Sequence, residues 1–92
     1  MKNFVYPAVV IYDEESKIFT IYFPDLSIVA EGDSVEDVFR NGKQYLNRYM
    51  EVVFKEGIGF DPPSSYEQIK REYPKDLIVF VECVLNDKNK AI

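Results

Sequence analysis

Three runs of β-branched and aromatic residues open the chain. The first, Phe4-Val5-Tyr6-Pro7-Ala8-Val9-Val10-Ile11-Tyr12, ends at the acidic turn Asp13-Glu14-Glu15-Ser16. The second, Lys17 to Phe23, stops at Pro24-Asp25, and a third short run, Ser27 to Glu31, follows closely. Such short connections predict a three-stranded antiparallel meander. Pro7 has no amide hydrogen, which predicts an edge position or a bulge at that point.

From Gly32-Asp33 the period changes. Val35, Val38, Phe39, Gly42, Tyr45, Leu46, Tyr49, Val52 and Val53 recur at spacings of three and four, one face of a long amphipathic helix. Ser34 is its expected N-cap, with Asp37 standing three residues on in the capping-box position. Lys55-Glu56-Gly57 supplies the expected C-cap. Gly42 lies inside the apolar stripe, where it costs about 1 kcal/mol relative to Ala. A close approach of helix to sheet is the expected compensation. Tyr45 and Tyr49 read as core residues from their spacing. Beyond the helix, Ile58 to Ser64 is a loop containing Pro62-Pro63, and Ser65 to Tyr73 predicts a short second helix closed by Pro74. Leu77 to Leu85 predicts a last strand.

The order β-β-β-α-(α)-β predicts a small α+β domain, a three-stranded meander plus a final strand with one long helix on one face. Residues 1–85 form one domain and 86–92 a polar C-terminal tail. Both faces of the strands are apolar: Phe4, Tyr6 and Val10 oppose Val5, Val9 and Ile11, and Val79, Val81 and Cys83 oppose Ile78, Phe80 and Val84. One long and one short helix cover only one such face well. The other is expected to serve as an interaction surface, for a homodimer, a higher homo-oligomer or a partner.

Charge narrows the partner. The chain has 92 residues and a net charge of -5, so a phosphate backbone repels it and a basic protein complements it. Arg40, Lys43, Arg48 and Lys55 read as a solvated helix face. No run approaches the ~20 apolar residues that span a bilayer, and the N-terminus lacks the apolar run of a signal peptide. A single cysteine permits no internal disulfide and fits a reducing cytoplasm, the expected location.

Catalytic chemistry finds few materials. With no histidine, Ser-His and Cys-His arrangements are excluded. Cys83 shares its strand parity with Val79 and Val81, which predicts a buried, inert thiol. The glycines at 32, 42, 57 and 59 form no phosphate loop. Asp13, Glu14, Glu15, Asp25, Glu31, Asp33 and Asp37 suggest a divalent-metal nuclease as the enzyme-class alternative, yet each has a role as a turn or cap residue. No catalytic residue, metal ligand or cofactor is expected, and the chain reads as a non-enzyme.

Several segments taken together resemble a known family. Tyr6-Pro7-Ala8-Val9-Val10, the acidic turn, the aromatic second strand and Phe23-Pro24-Asp25-Leu26 come first, followed by Glu31-Gly32-Asp33-Ser34-Val35-Glu36-Asp37-Val38 and Asp61-Pro62-Pro63-Ser64. Their order and spacing, over residues 4–85, resemble the N-terminal domain of HicB antitoxins. The resemblance implies a partial ribonuclease-H-like fold that works as a protein inhibitor. HicB proteins bind and occlude HicA, a small basic RNA-cleaving toxin, so the implied partner is a HicA-like toxin. Many HicB proteins also carry a C-terminal DNA-binding domain. Residues 86–92 are too few for one, and direct DNA binding is not expected of this chain. Phe23, Asp25, Leu26, Glu31 and Asp33 bracket the third strand and are the expected toxin contacts, acids beside exposed apolar side chains. A stand-alone interaction module with a non-toxin partner is the alternative.

Overall fold

The computed structural model describes residues 2–86. Strands β1 (Lys2–Asp13), β2 (Ile18–Phe23) and β3 (Ile28–Gly32) lead into helix α1 (Val35–Glu56), then helix α2 (Tyr66–Glu72) and strand β4 (Leu77–Leu85). One antiparallel sheet results, in the order β3-β2-β1-β4. The three-stranded meander is as expected, and β4 pairs on the far side of β1. The tail expected at 86–92 lies outside the described residues beyond Asn86.

Both hairpin turns close by the same device. Lys17 N–H donates to the Asp13 carbonyl at 2.8 Å, and Ser27 N–H to the Phe23 carbonyl at 2.9 Å. Lys17 (φ 59) and Ser27 (φ 56) are left-handed, a conformation usually given to Gly or Asn.

Pro7 occupies a locally open edge of β1, one of the two expected positions, and no bulge interrupts the pairing with β4 there. The strand is central, and its pairing with β4 runs without interruption through Pro7↔Phe80. Pairing with β2 begins only at Val9, so β2 makes no demand on the missing amide hydrogen of Pro7.

α1 lies across one face of the sheet. Ser34 Oγ accepts the Asp37 N–H at 3.0 Å, closing one half of a capping box, while the Asp37 carboxylate pairs with Arg40. Gly57 ends the helix in the left-handed conformation, as its C-cap position requires. Val38, Gly42, Leu46, Met50 and Val53 are the buried positions, packed on Tyr6, Ala8, Val10, Ile21, Phe23, Val81 and Cys83. A Cβ on Gly42 would stand 2.8 Å from Ile21 Cγ2, so the expected close approach exists. The buried stripe is narrower than its sequence pattern. Val35, Phe39, Tyr45 and Val52 are exposed, and Met50, absent from that pattern, is fully buried.

The second sheet face is partly roofed. Phe80, which alternates with core residues Val79 and Val81, meets Tyr66 of α2 with ring centroids 6.1 Å apart. α2 therefore lies on the face opposite α1, where Pro7, Val9 and Ile69 are buried outside the main core. The expectation that this face is bare is corrected at its centre. Around it Val5, Ile11, Val29 and Phe80 remain exposed.

The connection between the helices passes from one face to the other. Phe60 joins Phe4 and Phe54 in an aromatic triad with centroid distances of 5.4 to 5.5 Å. Tyr6 Oη donates to the Asp61 carbonyl at 2.7 Å. Burial, reinforced by nearby Asp25, Tyr49 and Asp61, pushes the Tyr6 hydroxyl up to about 12.

Candidate partner-binding groove along the third strand

Asn41 Nδ2 on α1 donates to the Glu31 carbonyl at 2.8 Å and ties the helix to β3. At this junction Gly32 admits no side chain, because a Cβ would stand 2.5 Å from the Val38 nitrogen. The tight join sets Glu31 and Asp33 on the rim of a depression of about 360 Å³, lined also by Asp37, Arg40 and Asn41. Arg40 is engaged by Asp37, an exposed i,i+3 pair of little energetic weight that nonetheless neutralises the cation locally.

Next along the helix, Ala30, Asn41, Gln44, Tyr45, Arg48, Tyr49 and Val52 line a groove of about 470 Å³. Tyr45 is 55% exposed, which corrects its reading as a core residue, while Tyr49 is half-buried and packs against the core as expected. Both residues line the groove. Beyond Tyr49 a third depression, about 450 Å³, is bounded by Asp25, Leu26, Ser27, Phe60 and Asp61. Asn41 is common to the first two depressions and Tyr49 to the last two, so all three run end to end along β3. The middle of the groove mixes Ala30, Tyr45, Tyr49 and Val52 with the polar Asn41 and Gln44 and the cation Arg48, and both ends carry acids.

The five expected contact residues separate in space. Glu31 and Asp33 are exposed at one end of the groove, and Asp25 stands at the other. Asp25 is engaged internally, accepting the Ser64 N–H at 2.8 Å and the Ser64 hydroxyl at 2.5 Å. Phe23 is fully buried against α1 and Leu26 nearly so, because both point from the β2–β3 hairpin into the main core. The expectation of exposed apolar side chains there is corrected. The apolar side chains that line the groove are instead Ala30, Tyr45, Tyr49 and Val52. For the three on α1 the signal was a stripe too wide for one sheet contact: nine positions where the sheet buries five residues of the helix.

The acids do not converge. Among the described residues no three Asp, Glu or Cys side chains are placed to share a metal ion. Burial, with Glu51 adding and Lys43 opposing, pushes the Cys83 thiol up to about 11. No helix of the described residues is long and apolar enough to cross a membrane.

Comparison with solved structures fixes the fold. The N-terminal domain of Burkholderia pseudomallei antitoxin HicB superposes with a TM-score of 0.73 over 84% of this chain and 94% of that domain, at 20% identity. The fold is that of the HicB N-terminal domain. A second structure of Burkholderia pseudomallei antitoxin HicB gives the same TM-score and identity over 85% of this chain, which spans 60% of that chain's length. A chain of the HicA3 and HicB3 toxin-antitoxin complex matches with a TM-score of 0.63 at 20% identity, covering 84% of this chain and 94% of its own length. No protein-family profile matches the sequence. No curated protein matches it either. The HicB-type fold thus rests on geometry.

Proposed function

We propose that this chain is a HicB-type antitoxin, a partial ribonuclease-H-like domain that binds a small basic HicA-like RNA-cleaving toxin and covers its active surface. The observation that carries the reading is a groove on a HicB-type fold with acids at both ends and Tyr45, Tyr49 and Val52 among its lining. A net charge of -5 draws a basic protein in. Carboxylates at the rim speed encounter, and apolar burial between them slows release.

In this reading Glu31 and Asp33 contact the toxin at one end, Asp25 and Asp61 border the other end, and Tyr45, Tyr49 and Val52 fill the interface between. Phe23 and Leu26 act from beneath, holding the β2–β3 hairpin in place. The chain is non-enzymatic, works in the cytoplasm beside its toxin, and associates with copies of itself.

Binding of the purified chain to a HicA-like toxin from the same genome tests the proposal by calorimetry. Tyr45→Ala and Tyr49→Ala are each expected to weaken the complex by roughly tenfold or more, the loss typical of a truncated aromatic anchor. A chain that binds no such toxin, or binds it with both alanine variants unaffected, contradicts the reading.

A further inference from the structure

We infer that β4 is the edge through which two copies of this chain pair, antiparallel and centred on Val81, joining two four-stranded sheets into one. The inference rests on the self-association part of the reading above and names its surface.

The two sheet edges differ in kind. β3 is five residues long, ends in Glu31-Gly32, and has its Glu31 carbonyl taken by Asn41. β4 is nine residues long and has β1 as its one strand neighbour among the described residues. Its pairing to β1 runs from Lys2↔Leu85 to Val10↔Leu77 without a bulge. No proline or glycine interrupts β4, and Glu82 is its one charged residue. A long, regular, apolar edge is what monomeric proteins blunt with bulges, prolines or several charges. β4 carries almost none of these devices.

Symmetry and pleat select the register. Residues directly opposite in an antiparallel pair share a sheet face, so a twofold pairing must be centred on a residue. Val81 is the middle of Leu77–Leu85 and the centre that engages the whole strand. On the α1 face it sets Leu77 against the partner's Leu85 and Val79 against the partner's Cys83. Leu77 is 53% exposed in the single chain, and pairing covers it. On the other face Ile78 meets the partner's Val84, and Phe80, 48% exposed, meets the partner's Glu82. Centring one residue later would oppose the two Glu82 carboxylates, a destabilising arrangement. The Val81 register avoids it.

Sedimentation velocity on the full chain tests the pairing. The unaltered chain is expected to dimerise. Phe80→Glu places a carboxylate opposite the partner's Glu82 twice per dimer and raises the dissociation constant by roughly tenfold or more. Phe80→Lys leaves the dimer intact, and Phe80→Glu combined with Glu82→Lys restores it. Circular dichroism confirms that each variant is folded, as expected for a half-exposed position. A monomeric unaltered chain overturns self-association, leaving toxin binding to its own test. A dimer indifferent to Phe80→Glu overturns the β4 edge, and failure of Glu82→Lys to rescue overturns the register.

Discussion

The carboxylate of Asp25 holds Ser64, 39 residues away in sequence, by two hydrogen bonds of 2.8 and 2.5 Å. This contact fastens the connection between the helices to the tip of the β2–β3 hairpin, at the point where the chain passes from one sheet face to the other. It also shapes the Asp25 end of the groove.

Removing that acceptor strands a part-buried N–H and hydroxyl together. Asp25→Ala is expected to destabilise the protein by about 1.5–3 kcal/mol, the range for hydrogen bonds to a charged group. In a domain of this size that lowers the melting temperature by roughly 6 °C or more. Asp25→Asn keeps one acceptor and loses less. Thermal unfolding followed by circular dichroism separates the two variants, and equal melting of Asp25→Ala and the unaltered protein contradicts the role assigned to the contact.

At Gly42 two effects compete. Helix propensity alone makes Gly42→Ala stabilising by about 1 kcal/mol. The added Cβ would stand 2.8 Å from Ile21 Cγ2 and 3.1 Å from Ile21 Cδ1, against a fully buried side chain with Phe23 behind it. Overpacking of this kind costs roughly 1–3 kcal/mol and prevails. Net destabilisation is expected in urea titrations, with Ile21→Val costing less in the Gly42→Ala background than alone.

Alkaline pH is expected to destabilise the protein through two buried groups. Burial raises Tyr6 from 10.0 to about 12 and Cys83 from 9.0 to about 11. Each is therefore neutral in the folded state at pH values where its unfolded counterpart has ionised. The stability they contribute is complete below pH 9 and declines as pH rises through the raised values, by up to about 1.4 kcal/mol per pH unit for each group. Cys83→Ala is expected to flatten the decline between pH 9 and 11, and Tyr6→Phe that between 10 and 12. Denaturant midpoints measured across this range check both, and parallel curves for all three proteins contradict the assignment.

How much of this was legible in the sequence depends on how local each determinant is. Element order, the Ser34 and Gly57 caps, the tight packing at Gly42 and the burial of Cys83 were readable because each follows from a few neighbouring residues. The left-handed turn residues were not. Lys17 and Ser27 carry no preference for that conformation, which the hairpins impose on them. The placement of α2 was equally hidden, since the Ile58 to Ser65 connection is steered by long-range partners, Asp25 and Tyr6, that periodicity does not reveal. For the same reason Phe23 and Leu26 were expected at the surface. Their hairpin borders a groove, but their own side chains turn inward beneath α1, and the aromatic lining of the groove comes from exposed Tyr45 and half-buried Tyr49 on the helix.

The central claim is that the acid-rimmed groove neutralises a basic ribonuclease, and titrating the chain into an RNA-cleavage assay of a HicA-like toxin measures this directly. The account predicts that cleavage stops at a stoichiometric endpoint, and that Glu31→Lys with Asp33→Lys moves inhibition to at least roughly tenfold higher concentration, as expected when like charges face each other across an interface. Undiminished cleavage in excess chain, or inhibition unaltered by the paired charge reversal, would contradict it.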